Sequence, residues 1–278
     1  MKTAIALGTF DGLHKGHRAV ISETRPYYSI AVTFYVPPKS VLSNEPQLLI
    51  LPKDRESRLK DLGVNQVVMQ DFDKVRDIEA SQYVEDLCKQ YNPSRIVCGF
   101  NYRFGKNALG NTDFLADFCS RKGIEFCCVS PQYEGESIIS STAIREYIKN
   151  GEVQTASKLL YGGFSFTAQV LHGDARGRKI GFPTANQIYP ELLVKPKFGV
   201  YKSRVTVDGK CYDGVTNIGI RPTYKTDTVG CETYIKNFKG NIYGKEIRLE
   251  LLRFMRKEQK FNSLDELKSA ILNDVKLS

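Results

Sequence analysis

The first half of the chain alternates short apolar runs with longer segments whose apolar residues recur at helical spacing. The runs that predict strands are TAIAL, SIAVTFY, QVVMQ, RIVCGF and IEFCCVS, and the clearest helical segments are KDRESRLKDLG and EASQYVEDLCKQY. This alternation predicts parallel βαβ units in a doubly wound sheet. In such a sheet ligands bind at the carboxyl ends of the strands.

A change of pattern marks a domain boundary near the middle of the chain. A helical run is predicted over residues 141–160, and the glycine pair at Gly162 and Gly163 interrupts it. Beyond this point the apolar and polar residues alternate one by one, as in antiparallel strands with one face buried. The sequence therefore predicts two domains, 1–161 and 162–278.

The strand pattern of the second domain predicts a small antiparallel barrel. The strands VYKSRVTV and KCYDGVTNI flank Asp208 and Gly209, a pair that favours a two-residue hairpin turn. Further strands are predicted at CETYIKNF and EIRLELLRFM. The last helix, SLDELKSAILNDV, opens with a capping box of Ser263 and Glu266.

The amino-acid composition indicates which kinds of partner and which cellular compartment to expect. The chain of 278 residues is 41% hydrophobic and contains no apolar stretch long enough for a membrane span, so none is expected. Seven cysteines without C-x-x-C spacing indicate neither a disulfide framework nor a zinc site, and they favour the reducing cytoplasm. The net charge of +9 lies mainly in residues 162–278, with 20 basic against 12 acidic residues. These cations are dispersed, which favours a small anionic substrate over nucleic acid.

The stretch GTFDGLHKGH, from Gly8 to His17, contains two of the three histidines and directly follows the first predicted strand. A glycine-containing turn between a strand and a helix lets backbone N–H groups approach an anion. Imidazoles at positions 14 and 17 can face the same phosphate chain. The alternatives are surface loop residues or half of a metal site, but the strand, turn and helix context favours phosphate.

A second segment, ISSTAIREYI, supports an anion site. Ser141 and Thr142 can cap a helix with their hydroxyl groups, and Arg145 lies one turn further along the same face. The alternative is an ordinary helix cap followed by a solvated arginine.

The stretch HGDARGRKIGFPTAN, from His172 to Asn186, is the candidate site of the second domain. Its glycines permit close approach of the backbone to a ligand, and its cations suit a polyphosphate, although a solvated basic hairpin is equally compatible. Thr184 and Asn186 alternate on an extended chain, so two neutral oxygen ligands can point the same way. The glycines are Gly173, Gly177 and Gly181, and the cations are Arg176, Arg178 and Lys179.

The histidine loop and SSTAIR together resemble the nucleotidyltransferase superfamily, whose domain is Rossmann-like. The full GTFDGLHKGH, with GFNYRFGKNALGNTDFL between the two motifs, resembles the adenylyltransferase half of prokaryotic bifunctional riboflavin kinase/FAD synthetases. The resemblance implies transfer of the adenylyl group of ATP to FMN, giving FAD, with His14, His17 and Arg145 acting on the ATP phosphates. The ATP-binding residues that it implies are Gly8, Phe10, Asp11, His14, Gly16, His17, Asn101, Ser141, Thr142 and Arg145.

The remainder of the chain resembles the riboflavin kinase domain of the same family. After PTAN, the segments FGVY, NIGIRPTY, CETYIKNFKGNIYG and FMRKEQKF follow in the family's order. The resemblance implies a six-stranded antiparallel barrel that phosphorylates riboflavin to FMN, with Glu232 as catalytic base and with Thr184 and Asn186 as ligands of Mg²⁺. It further implies ATP contacts at Gly173, Arg176, Gly181, Thr184 and Asn186, and flavin contacts at Gly199, Tyr201 and Arg256.

One segment departs from the family pattern. After the second strand the chain has FYVPP, with Val36 and Pro37 where the family usually has proline and histidine. This leaves open a riboflavin kinase whose first domain binds nucleotide without making FAD. A basic nucleic-acid-binding protein is the alternative from another class, but it does not explain the ordered motifs. The sequence leaves the oligomeric state open.

Overall fold

The computed structural model describes residues 2–43, 47–173, 177, 181–221, 228–261 and 263–278. Contacts divide the chain into two compact units. The first contains the residues up to Ala143 together with Leu159–Tyr161, and the second contains Ile144–Lys158 and Gly162–Ser278. Each unit is described by itself.

The first unit is built on a five-stranded parallel sheet with the order β3-β2-β1-β4-β5. The prediction of a doubly wound parallel sheet is confirmed. The strands are β1 (Thr3–Leu7), β2 (Tyr28–Phe34), β3 (Gln66–Gln70), β4 (Arg95–Gly99) and β5 (Glu125–Val129). The helices are α1 (Lys15–Ser22), α2 (Pro38–Leu42), α3 (Pro52–Asp61), α4 (Phe72–Val75), α5 (Ala80–Tyr91) and α6 (Thr112–Lys122). A short hairpin of β6 (Tyr133–Glu134) and β7 (Ser137–Ile138) follows.

The sheet is buried on both faces because helices cover both of them. Apolar residues of α5 and α6, such as Val84 and Phe118, pack on one face, and residues of α1 and α3, such as Val20 and Leu59, pack on the other. The chain runs outward from β1 to β3 and then crosses to β4 on the opposite side of β1. This reversal opens a crevice at the carboxyl ends of β1 and β4, where ligands of such sheets bind.

The helical run predicted over residues 141–160 is wrong as a single helix. The structure has α7 (Ser141–Lys149) and α8 (Val153–Leu159), separated by a turn at Gly151. Gly151 has φ 86°, a left-handed conformation that ends a helix at little cost for glycine. The signal was the glycine itself, which is tolerated inside a helix only at a cost of about 1 kcal/mol.

The segment 144–158 packs with the second unit. The backbone N–H of Lys197 donates to the carbonyl of Ile148 (3.4 Å), and that of Phe164 donates to the Ser157 hydroxyl (3.2 Å). The division by contacts therefore differs from the predicted boundary at 161/162 by these two helical pieces. The predicted boundary was placed where the strand pattern changes, and such a change does not show with which unit the helices before it pack.

The second unit is a six-stranded antiparallel sheet with the order β8-β13-β10-β11-β12-β9. Its edges meet through a bridge between Leu171 and Asn186, and the Gln187 side chain of β9 donates to the Ala168 carbonyl of β8 at 2.7 Å. The predicted barrel is thereby confirmed. The strands are β8 (Ser165–Gln169), β9 (Thr184–Ile188), β10 (Gly199–Val207), β11 (Lys210–Arg221), β12 (Thr228–Ile235) and β13 (Glu246–Arg256), and α9 (Leu264–Leu277) follows.

The predicted hairpin turn in this unit is confirmed, and of the predicted capping box the hydrogen bond to the Ser263 hydroxyl is confirmed. Asp208 (φ 47°) and Gly209 (φ 77°) form the two-residue turn between β10 and β11, with Val207 and Lys210 as the last register pair. Both central residues have positive φ, as the twist of a tight hairpin requires. The Ser263 hydroxyl accepts the N–H of Glu266 at 3.2 Å and so caps α9.

Candidate functional sites

The loop from Gly8 to His17 connects β1 to α1 at the crevice of the sheet. Three of its residues have left-handed backbone conformations: Phe10 (φ 48°), Gly12 (φ 82°) and Leu13 (φ 48°). Such conformations cost about 1–3 kcal/mol for residues other than glycine and persist only where the surroundings enforce them. Phe10 and Leu13 are fully buried, so packing of their side chains holds this strained backbone in place.

The loop brings the two histidines into direct contact. His14 is the N-cap residue of α1, and His17 lies in its first turn. Their rings stack with centroids 3.7 Å apart, and the Phe10 ring contacts His17 edge-on at 5.6 Å. A side chain at Gly16 would lie 3.3 Å from the His14 ring, so glycine leaves room for the stack. Two imidazoles at a helix N-terminus suit an anion with several oxygens.

Two further predicted residues, Asp11 and Ser141, meet at the same loop. The Ser141 hydroxyl donates to the Asp11 carbonyl at 3.2 Å, and the buried Asp11 carboxylate accepts the N–H of Leu49 at 2.8 Å. The expectation that Ser141 and Thr142 cap α7 is wrong. Ser140 does so, since its hydroxyl accepts the N–H of Ala143 at 3.2 Å. The helix begins at Ser141, one residue earlier than a Ser141 cap requires, which leaves the Ser141 hydroxyl for the loop.

The other predicted residues of the first site lie on other elements, and one of them, Arg145, belongs to the second unit. Gly8 directly follows β1, and a side chain there would lie 3.0 Å from the Phe10 ring. Asn101 is exposed just beyond the carboxyl end of β4, the strand beside β1. Thr142 is exposed in the first turn of α7, and Arg145 is half-buried one turn further along.

In the barrel, strand register aligns three polar residues in one row. Glu232 of β12 is directly opposite Asn186 of β9 on one side and Asn217 of β11 on the other. Residues paired directly across strands point to the same face of a sheet. We call these three residues the Asn–Glu–Asn row. Thr184 is paired with Tyr234 two positions further along, so it shares that face with Asn186.

A cavity of about 140 Å³ lies over this face, with α9 on its other side. Three predicted residues line it, namely Thr184, Glu232 and Arg256. Leu267 and Ile271 of α9 contribute apolar walls. Further lining residues are Phe182, Val200, Val215, Asn217, Tyr234, Glu258, Gln259, Phe261 and Asp274. The mixture of apolar walls and a few polar groups is typical of a site for a small organic molecule.

Each unit matches a different family model, and the whole chain matches relatives that combine both activities. A model described as FAD synthetase matches residues 1–143, and a model described as riboflavin kinase matches residues 160–278. The bifunctional riboflavin kinase/FMN adenylyltransferase of Listeria monocytogenes is 34% identical over 97% of this chain and 89% of its own length. That of Bacillus subtilis is 33% identical over 98% and 90%.

The chain belongs to the bifunctional riboflavin kinase/FMN adenylyltransferase family. The predicted family and its two activities are thereby confirmed. A crystal structure from Streptococcus pneumoniae named as a macrolide-efflux protein shares the fold, with a TM-score of 0.89, 30% identity and coverage of 99% of this chain and 93% of that one. Among the described helices of the present chain, none combines the length and apolar character needed to cross a membrane.

Of the three flavin contacts predicted for the kinase, Arg256 lies at the cavity, whereas Gly199 and Tyr201 are not among its lining residues. Tyr201 is fully buried in the barrel, and its hydroxyl donates to the Lys197 carbonyl. Burial raises the pKa of Tyr201. A side chain at Gly199 would lie 2.3 Å from the Arg256 carbonyl, so glycine permits close approach of β10 to β13.

The glycine segment that precedes β9 is described only in part. Arg176, Arg178 and Lys179 lie outside the described residues. A side chain at Gly173 would lie 2.6 Å from Nδ2 of Asn186, so glycine keeps the space beside this amide open. Gly181 has φ 88°, which favours glycine, and a side chain there would meet no atom within 4 Å.

The fit of the predicted Mg²⁺ ligands can be tested on the residues of β9. Nδ2 of Asn186 donates to the Thr184 carbonyl at 3.3 Å, which directs the amide oxygen away from this contact. A hydroxyl and an amide oxygen beside the Glu232 carboxylate are hard oxygen donors, as Mg²⁺ requires. Within the described ranges no group of three or more His, Cys, Asp or Glu residues could hold a metal by itself. The residues thus fit a cation whose remaining ligands are water and phosphate.

Sequence reasoning missed two residues of the second site, Asn217 and Asp274. Asn217 completes the Asn–Glu–Asn row, and its amide donates to Glu258 at 3.0 Å. Asp274 of α9 is 3% exposed and accepts hydrogen bonds from Nε (3.0 Å) and Nη2 (2.8 Å) of Arg256. An aspartate on the otherwise apolar side of the last predicted helix was the available signal for Asp274. For Asn217 the signal was its position at the start of the segment NIGIRPTY, but its pairing with Glu232 depends on strand register.

Proposed function

We propose that the histidine loop of the first unit and the Asn–Glu–Asn row of the second are the two catalytic sites of the family's reactions. The first makes FAD and pyrophosphate from FMN and ATP, and the second makes FMN and ADP from riboflavin and ATP. The stacked pair of His14 and His17 supports the first assignment. The register of Glu232 between Asn186 and Asn217, beside a cavity, supports the second.

Adenylyl transfer needs positioning and charge neutralisation rather than a base. The attacking oxygen belongs to the FMN phosphate, which is already ionised at pH 7. It forms a bond to the α-phosphorus of ATP while the bond from that phosphorus to the bridging oxygen of pyrophosphate breaks. His14 and His17 stabilise the charge of the phosphate oxygens, and Arg145 and the hydroxyl-bearing Ser141 and Thr142 assist at the start of α7. Gly8, Phe10, Asp11, Gly16 and Asn101 shape the nucleotide site.

Phosphorylation of riboflavin does call for a base, because the nucleophile is a neutral primary hydroxyl. Glu232 accepts the proton of this hydroxyl as its oxygen bonds to the γ-phosphorus and the bond to the β-phosphate breaks. Asn186 and Asn217 flank the carboxylate on the two neighbouring strands. Arg256 borders the flavin end of the cavity.

Mg²⁺ fits the kinase site through Thr184 and Asn186. When bound, it neutralises phosphate charge, a role typical of this metal in phosphoryl transfer. Gly173, Gly181 and Arg176 complete the proposed ATP site of the kinase. A reducing cytoplasm suits the chain, in which all seven cysteines are free thiols.

The segment FYVPP supports a second candidate, in which the first unit binds nucleotide without making FAD. Pro37 is buried and directly precedes α2, so it fixes the backbone where the family has a histidine. This replacement removes a titratable group beside the crevice. The candidate predicts FMN as the only flavin product.

One assay tests both sites. The full chain is incubated with riboflavin, ATP and Mg²⁺, and riboflavin, FMN and FAD are separated by chromatography over time. We expect FMN to accumulate first and FAD to follow, and supplied FMN to give FAD directly. FMN without FAD supports the second candidate, and formation of neither product contradicts both assignments.

A further inference from the structure

Arg55 of α3 is fully buried next to the histidine loop, outside every motif of the family resemblance. Its Nη1 donates to the Thr9 carbonyl at 3.2 Å, within the loop that follows β1. Its Nη2 donates to the carbonyls of Phe34 and Tyr35, at the carboxyl end of β2. One guanidinium thus connects the backbone of the histidine loop to the start of FYVPP.

The contacts of Arg55 cooperate with others that fix the same loop. The Thr9 carbonyl also accepts the Thr33 hydroxyl at 2.7 Å, so two donors define its direction. The Asp11 carboxylate accepts the N–H of Leu49, which lies shortly before α3, and its charge acts on Arg55. The strained stretch from Thr9 to Leu13 is therefore bound at its start (Thr9) and in its middle (Asp11) to the chain segment that carries Arg55.

A buried arginine is a costly way to hold a backbone in place. Burial lowers the pKa of Arg55, since the protein interior stabilises its charge less well than water does. Apolar residues of similar volume often stabilise a fold as well as or better than buried ionic groups do. The planar guanidinium offers what they lack, namely donors in a fixed geometry that reach two strand ends at once.

We propose that Arg55 is a positioning residue for adenylyl transfer. It holds the histidine loop and the end of β2 in the relative placement that the reacting phosphates of ATP and FMN require. It also places a positive charge beneath the loop, in a medium of low dielectric constant where the charge acts on phosphates more strongly than in water. The inference rests on the proposed function of the histidine loop.

The experiment compares R55M, R55K and the control R58M in the full chain. Arg58 lies on the same helix and is also buried, and it donates to the carbonyl of Tyr161, whose own N–H donates to the Gly12 carbonyl of the loop at 3.4 Å. FAD formation from supplied FMN and FMN formation from riboflavin are measured separately, and the folded fraction is determined by circular dichroism. The kinase rate reports on the second unit of the same molecules.

For R55M we expect kcat/KM of FAD formation to fall about 30- to 100-fold, as for a small misplacement of reacting groups, and KM for ATP to rise about 5-fold or more. In R55K we expect a smaller fall in kcat/KM of FAD formation than in R55M, because the lysine ammonium can donate to one strand end but does not bridge both. R58M stays within about 3-fold once both variants are compared at equal folded fraction.

The positioning role would be overturned if the rate of FAD formation by R55M fell only in proportion to its folded fraction and its KM for ATP were unchanged. An equal loss in R58M would do the same. If R55M does not fold, R55K decides: an unchanged KM for ATP and an unchanged rate contradict the proposal. Failure of the wild-type chain to make FAD would instead contradict the proposed function.

Discussion

The two candidate sites, which we propose to bind similar phosphates, are built in opposite ways. The centre of the first site is one continuous stretch of ten residues, whose buried and strained backbone places two imidazoles in a stack. The site of the second unit is a row of side chains from three antiparallel strands, with residues from α9 above it. A loop after a parallel strand offers backbone N–H groups, whereas a barrel face offers side chains in register.

This difference predicts different sensitivities to substitution. In the Asn–Glu–Asn row, Glu232 alone can accept a proton, so removal of its charge leaves the row without a base. In the loop, several groups share the stabilisation of phosphate charge, so loss of one is partly compensated. The following variants test this comparison, and the two activities of the chain can be measured separately in each of them.

E232Q has the largest expected effect. Glutamine keeps the size of the side chain but accepts no proton, so kinase turnover should fall about 100-fold or more, since general base catalysis typically contributes about 100- to 10,000-fold. FAD formation from supplied FMN should persist. The matched control is E246Q on β13, where the carboxylate is exposed and does not line the cavity. Equal loss of both activities in folded E232Q would contradict the separation of the sites.

H17A should lower FAD formation about 30-fold and leave FMN formation from riboflavin unchanged. The expected loss lies below that for a single dedicated oxyanion donor, about 100- to 1,000-fold, because His14 and the helix terminus remain. H172A provides the control for FAD formation, since the third histidine stacks on Tyr243 in the other unit. Normal FAD synthesis by H17A would remove this imidazole from the mechanism.

The same contrast explains how much of each site was predictable from sequence. The histidine loop was found because its residues are consecutive, and the strand before it was predicted with the observed bounds, Thr3–Leu7. The positive φ of Phe10 and Leu13 was not foreseen, since packing around the loop enforces it. In the barrel, Glu232 was found through family resemblance alone.

Residues whose role depends on a distant partner were beyond reach of the sequence. Asn217 joins Glu232 only through the pairing of β11 with β12, and Arg55 reaches two strand ends from a helix. A surface arginine on an amphipathic helix is the ordinary expectation, and tertiary contacts alone reveal its burial. The break at Gly151 was missed for a local reason: a helical pattern on both sides outweighed one glycine.

D274N tests how the barrel site depends on α9. The substitution removes the charge that holds Arg256, and asparagine cannot accept both guanidinium hydrogen bonds equally well. We expect KM for riboflavin to rise about 10-fold with a smaller change in kcat, and the free energy of unfolding to fall by about 2 kcal/mol. D265N on the exposed first turn of the same helix is the control. An unchanged KM would exclude a role of this ion pair in the flavin site.

G209A has the smallest expected effect and separates the fold of the barrel from its chemistry. A side chain at Gly209 would meet no atom within 4 Å, so its cost is the left-handed backbone alone, about 1 kcal/mol. The strand that leaves the turn at Lys210 reaches the cavity at Val215, five residues along β11, about 17 Å at 3.3 Å per residue. Urea unfolding should therefore show the loss while both activities stay unchanged. G209N should cost less, because asparagine tolerates this conformation, and a drop in kinase rate in either variant would show that strain at the turn reaches the row.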